Sequence, residues 1–144
     1  MHKFNITPDM GHYVINEQNK TVVFIINKTQ SLFIDFIQDN NFNKFSLNDD
    51  FIKKFYMPNH FFGVARCSDN DKWDVEVGKA IAFSRAKDKL NKSFFKRCSN
   101  YVKMADQWID NIVEIINIVG DKLTFNTAKR HDYIEELLNG DTKN

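Results

Sequence analysis

Glycine and proline are scarce in this chain, five and two among 144 residues, and no low-complexity tract or internal repeat interrupts it. Cysteine is scarcer than a disulfide framework requires. Cys67 and Cys98 read as free thiols of a reducing interior. Long hydrophobic runs are missing too: the longest, Val22–Ile26, falls far short of the roughly 20 residues of a membrane helix. The N-terminus, Met1-His-Lys-Phe-Asn-Ile6, lacks the apolar core of a signal peptide. The expectation is a soluble, cytoplasmic protein with no membrane contact. Charge of one sign is absent as a total, the net being +1. His2, His12, His60 and His131 are scattered without metal-ligand spacing, and two lone cysteines complete no site. There is no Gly-rich phosphate loop, no nucleophile elbow and no carboxylate pair at suggestive spacing. The expectation is therefore a protein that is not an enzyme, with no catalytic residue, no metal and no cofactor.

What is present is an aromatic-rich chain, with 14 phenylalanines, long enough to bury a core. Tyr13–Ile15 and Thr21–Ile26 read as two strands around the polar turn Glu17–Lys20, because β-branched and aromatic residues dominate both arms. The segment 31–58 reads as an insertion between strands. Leu32, Phe33, Phe36 and Ile37 have helical spacing there, Ser46 is placed to cap a second short helical turn, and Pro58 closes the segment. His60–Cys67 resumes as a strand, and Ser68-Asp-Asn-Asp71 is turn chemistry. A long helix follows, capped by Asp71 or Asp74, with Glu76 in its first turn. Ala80, Phe83, Leu90, Phe94, Cys98, Val102, Ala105 and Ile109 form its apolar stripe. From Ile112 the pattern is ambiguous. Ile112–Val119 alternates in part, Gly120-Asp121 is a good turn, and Leu123–Phe125 reads as a return strand. A last helix from about Thr127 carries Tyr133, Ile134, Leu137 and Leu138, with Gly140 as its stop. The fold class is α+β: a small antiparallel sheet packed with a long basic amphipathic helix and a C-terminal helix, in a single domain over 1–144.

Charge is more telling locally. Lys79, Arg85, Lys87, Lys89, Lys92, Lys96, Arg97 and Lys103 crowd one helix against Asp88 alone. Arg85, Lys89, Lys92, Lys96 and Lys103 share a face. Such a face either captures phosphate groups or is an ordinary solvated surface. Arginine is the sharper candidate, since its fork holds phosphate bidentately and stacks on a base. Arg66 can point at the same region. Phe94, Phe95 and Tyr101 lie among these bases, and one of the two phenylalanines must face away from the core. Trp108 is either a core or subunit contact or a stacking platform. Trp73 reads as a staple onto the core, with base stacking second. Gly78 costs the helix roughly 1 kcal/mol relative to alanine, so close approach of the sheet or of a ligand must justify it.

Gly63-Val-Ala-Arg-Cys67, Asp71-Lys-Trp-Asp74, Gly78 and Ala82-Phe-Ser-Arg-Ala86 together resemble a pattern in small proteins of phages and prophages of Gram-positive bacteria. Some of those proteins are likened to a double-stranded-RNA-binding domain. The pattern is also similar to the Thoeris anti-defence sponge proteins. That resemblance implies a small antiparallel sheet with extended helices, and capture without cleavage of cyclic ADP-ribose-type signals at subunit interfaces. Arg85 is the polar residue it carries over. The leading expectation is a phage-encoded sponge for a cyclic nucleotide, of cyclic ADP-ribose type or a cyclic oligonucleotide, acting as a homo-oligomer in the host cytoplasm. Its candidate ligand-binding residues are Arg66, Arg85, Lys89, Lys92, Phe95, Arg97, Trp108 and Arg130. The alternatives are a nucleic-acid-binding module and a protein inhibitor of a host defence factor.

Overall fold

Three runs of β-branched and aromatic residues form one antiparallel sheet: β1 (Gly11–Asn16), β2 (Thr21–Asn27) and β3 (His60–Arg66), in the order β1-β2-β3. The computed structural model describes residues 4–40 and 49–140. Its contacts divide the chain into two compact units, Met1–Ser99 and Asn100–Asn144, where the sequence reads as one domain.

In the first unit, register and alternation sort the sheet into two faces. Tyr13 pairs with Phe24 and Phe24 with Gly63, so these three share one face with Val22, Ile26, Phe61 and Ala65. Val22, Phe24 and Ile26 are fully buried there. Val14, Val23, Ile25, Phe62 and Val64 share the opposite face, where Val14 and Phe62 are exposed. The β1–β2 turn closes as the sequence indicates. Asn16 Oδ1 accepts the Asn19 amide at 2.9 Å, and the Lys20 amide donates to the Glu17 carbonyl at 3.2 Å.

The segment between β2 and β3 contains α1 (Leu32–Asp39) and α2 (Asp49–Phe55). The expected cap at Ser46 lies outside the described residues. The two ends of the segment are tied together. The Thr29 amide donates to the Asn59 carbonyl at 3.1 Å and the Met57 amide to the Gln30 carbonyl at 3.0 Å, while the buried Thr29 hydroxyl donates to the Pro58 carbonyl. The segment is also part of the core: Phe33, Ile34, Ile37, Phe55 and Met57 are buried. Phe33 and Phe36 of the segment meet Phe94 edge-on, Phe55 stacks on Phe33, and Phe94 stacks on Phe4 with centroids 3.9 Å apart.

The helix α3 runs from Val75 to Gly140. Asp74 is its cap, with Oδ1 accepting the amides of Glu76 at 2.9 Å and Val77 at 3.2 Å. The residues of α3 buried in the first unit are Gly78, Ala82, Ala86, Leu90 and Phe94, a line of four-residue steps. The apolar stripe is thus rotated from the expected one: Ala80 is exposed and Phe83 only half-buried. Small residues explain the line. A Cβ on Gly63 would fall on the Ala82 carbonyl oxygen and the Ala86 amide nitrogen. A Cβ on Gly78 would come within 2.8 Å of a Val22 methyl. The glycines and alanines of the Gly63–Ala86 motif therefore permit helix and sheet backbones to approach closely, which accounts for Gly78 without a ligand.

In the second unit, the strands expected within 112–125 do not form, and the last helix expected from about Thr127 is part of α3. The run Ile112–Val119 fits helical spacing as well as alternation, because Ile109, Ile112, Ile116, Val119 and Leu123 recur by threes and fours. Gly120 has no positive φ, so the expected turn is absent. The hydroxyls of Thr124 and Thr127 donate to carbonyls four residues back, those of Gly120 and Leu123. Strand preference of β-branched residues depends on neighbouring strands, and a helix satisfies its backbone locally. The α+β class holds, with a three-stranded antiparallel sheet and one long C-terminal helix.

Candidate functional site

The basic face of α3 begins on the sheet. Arg85 donates from Nη1 to the Val64 carbonyl at 2.5 Å, and Lys89 Nζ donates to the Phe62 carbonyl at 2.9 Å. Both carbonyls belong to β3, an outer strand of the sheet. Lys89 Nζ also sits 4.4 Å from the Phe62 ring centroid. Arg97 is similarly engaged: it donates to the Ser93 hydroxyl at 2.7 Å and to the Tyr56 carbonyl at 2.9 Å. Three of the candidate cations are therefore held by backbone carbonyls 21, 27 and 41 residues away. Each such bond is charge-assisted and fixes the head group in place. Lys92 is exposed on the same helix.

Arg66 falls elsewhere, in a cleft of about 200 Å³ built from the end of β3, the Ser68–Asp71 turn and the first turns of α3. Arg66, Lys72 and Trp73 line it, with Cys67, Asp71 and Ile81. The turn is closed by the Asp71 amide donating to the Ser68 carbonyl at 3.1 Å and by the Cys67 thiol donating to the Asp71 carbonyl at 3.4 Å. The helix amides at this end are engaged, since Asp74 accepts two of them and the Gly78 amide donates to the Asp74 carbonyl at 3.0 Å. The cations an anion would meet here are the side chains of Arg66 and Lys72, and the carboxylates of Asp71 and Asp74 line the same cleft. Trp73, half-buried, supplies a flat apolar wall.

Phe95 lies in a different cleft of about 360 Å³, lined by Phe4, Ile6, Lys87, Asn91 and Phe94. It is the outward member of the Phe94–Phe95 pair, 70% exposed where Phe94 is 6% exposed. Trp108 and Arg130 belong to the second unit and both are exposed. Seven of the eight candidates thus divide among the cleft at Arg66, the edge of β3, the Arg97–Tyr56 contact, the cleft at Phe95 and the second unit, and Lys92 stands exposed on α3. Lys72 was not among them. Its proximity to Arg66 in sequence, across a four-residue turn, was the available signal. Burial pushes the Cys98 thiol above its ordinary range, which keeps it protonated near neutral pH. Among the described residues no cluster of three histidine, cysteine or acidic side chains is placed to hold a metal ion, and no helix is long and apolar enough to cross a membrane. Compared with protein-family models, with curated proteins and with solved structures, the chain finds no match.

Proposed function

We propose that this chain is a non-catalytic binding protein that sequesters a cyclic nucleotide signal, of cyclic ADP-ribose type, as a phage-encoded anti-defence sponge. The observation that carries the reading is the cleft at the end of β3, where Trp73, Arg66 and Lys72 line one space beside Asp71 and Asp74. That set matches a nucleotide: the Trp73 ring for a base, Arg66 and Lys72 for phosphates. At about 200 Å³ the cleft is smaller than the usual small-molecule pocket of about 300–1,000 Å³. It admits one base or one phosphoribosyl portion of such a ligand.

Isothermal titration calorimetry with cyclic ADP-ribose isomers and cyclic dinucleotides tests this. Binding is expected for at least one cyclic ADP-ribose isomer, weakened at least tenfold by Arg66→Ala and by Trp73→Ala, with the ligand recovered intact. No binding of any of these compounds at micromolar protein overturns it.

The exposed bases Lys92 and Lys96 favour a second reading, a nucleic-acid-binding module. It requires affinity for duplex RNA or DNA that falls steeply with salt, which a gel shift at two salt concentrations resolves. The exposed Phe95 ring suits the third, inhibition of a host defence protein, for which copurification from a host lysate is the assay.

A further inference from the structure

The second unit carries an apolar seam with a strict repeat. Val102, Ile109, Ile116 and Leu123 stand seven residues apart, and Ala105, Ile112 and Val119 stand seven apart between them. This is the 3.5-residue period that supercoiled helices use to keep one seam facing a partner. Most of the seam is solvent-exposed in the single chain: Ile109 is 52% and Ile116 62% exposed, while Ala105 and Ile112 are half-buried. Gln107, Asp110, Glu114, Asn117 and Asp121 follow the same alternation of threes and fours on another face and make a narrow polar stripe. Trp108, Val113 and Ile115 flank the seam and widen the apolar arc.

We infer that residues 102–123 are a self-association helix through which three or four copies of this chain form a bundle. Three observations name other copies as the occupant. Knobs at seven-residue spacing need holes at the same spacing, and the chain itself supplies that repeat. The seam holds no charge from Val102 to Leu123, so identical copies meet without burying like charges. The next two seam positions, Asn126 and Arg130, are polar and end it. Stoichiometry follows from the side chains. Isoleucine at both seam positions, Ile109 and Ile112, shifts preference from two strands toward three or four. An arc widened by Trp108 and Ile115 needs more than one neighbouring helix to cover it. This association does not depend on the nucleotide reading, because none of its residues lines the Arg66 cleft.

Light scattering coupled to size exclusion, on the full chain, tests the inference. The expected mass is three or four times the 17.0 kDa chain. The double variant Ile109→Glu, Ile116→Glu is expected at the monomer mass, with its nucleotide affinity measured separately at the cleft. Asn117→Glu, on the polar stripe, is expected to leave the mass unchanged. A monomeric or dimeric wild type overturns the inference, as does a double variant of unchanged mass. A measurement that needs no variant is amide exchange across 102–123. It is expected to slow as wild-type concentration rises, and exchange indifferent to concentration overturns the inference as well.

Discussion

The two units handle apolar residues in opposite ways. In the first, residues from distant parts of the sequence, Val22, Phe24, Phe33, Phe61 and Leu90, lie buried together. In the second, Ile109, Ile115, Ile116, Leu123 and Phe125 are each more than half exposed. Hydrophobicity alone does not separate the two sets. What separates them is whether the chain supplies a surface to cover each residue. Sheet, inserted helices and the small-residue line on α3 do so for the first unit. The second unit is helical from Asn100 to Gly140 with no strand or second helix among its described residues.

Paired substitutions put that contrast at risk. Leu90→Ala empties a fully buried site and is expected to cost about 3 kcal/mol of first-unit stability in chemical denaturation. Phe125→Ala, at a side chain 59% exposed and off the seven-residue seam, is expected to change the same transition by less than about 0.5 kcal/mol. Equal losses would erase the distinction. Gly63→Ala is next. Its Cβ would fall on backbone atoms of α3 that no rotamer change can move, so a loss of about 2–3 kcal/mol is expected. A variant as stable as the parent would show that helix and sheet are not in close contact there. The smallest effect has the opposite sign. Beyond the adjoining helix backbone, nothing lies within 4 Å of where a Cβ on Gly120 would sit, so Gly120→Ala is expected to raise helix stability by up to about 1 kcal/mol through propensity alone. Circular dichroism during thermal unfolding reads it. A loss of helicity at Gly120 would restore the turn that the local sequence resembles.

That turn shows where sequence reasoning stops. The hairpin Tyr13–Ile26, the strand at Phe61–Cys67, the helix of Leu32–Ile37 and a cap at either Asp71 or Asp74 were all legible, since each rests on local chemistry. The choice between strand and helix at Ile112–Val119 was not. Four isoleucines and two valines in eight residues satisfy both periods, and only the presence or absence of a neighbouring strand decides. The candidate site divides the same way. That one of Phe94 and Phe95 faces outward follows from adjacent positions on a helix. That Arg85, Lys89 and Arg97 are bound by carbonyls of Val64, Phe62 and Tyr56 does not, because those partners are set by how the helix lies on the sheet.

Those two bonds to β3 have a consequence for the fate of the protein at high concentration. An outermost strand offers its unpaired backbone to any other extended chain, and fibrils grow by that route. Arg85 and Lys89 occupy the carbonyls of Val64 and Phe62 and set two positive charges along this border. A second molecule adding a strand there would have to displace both and bring its own like charges alongside. The cations that most resemble ligand-binding groups thus act as guards against strand-by-strand aggregation.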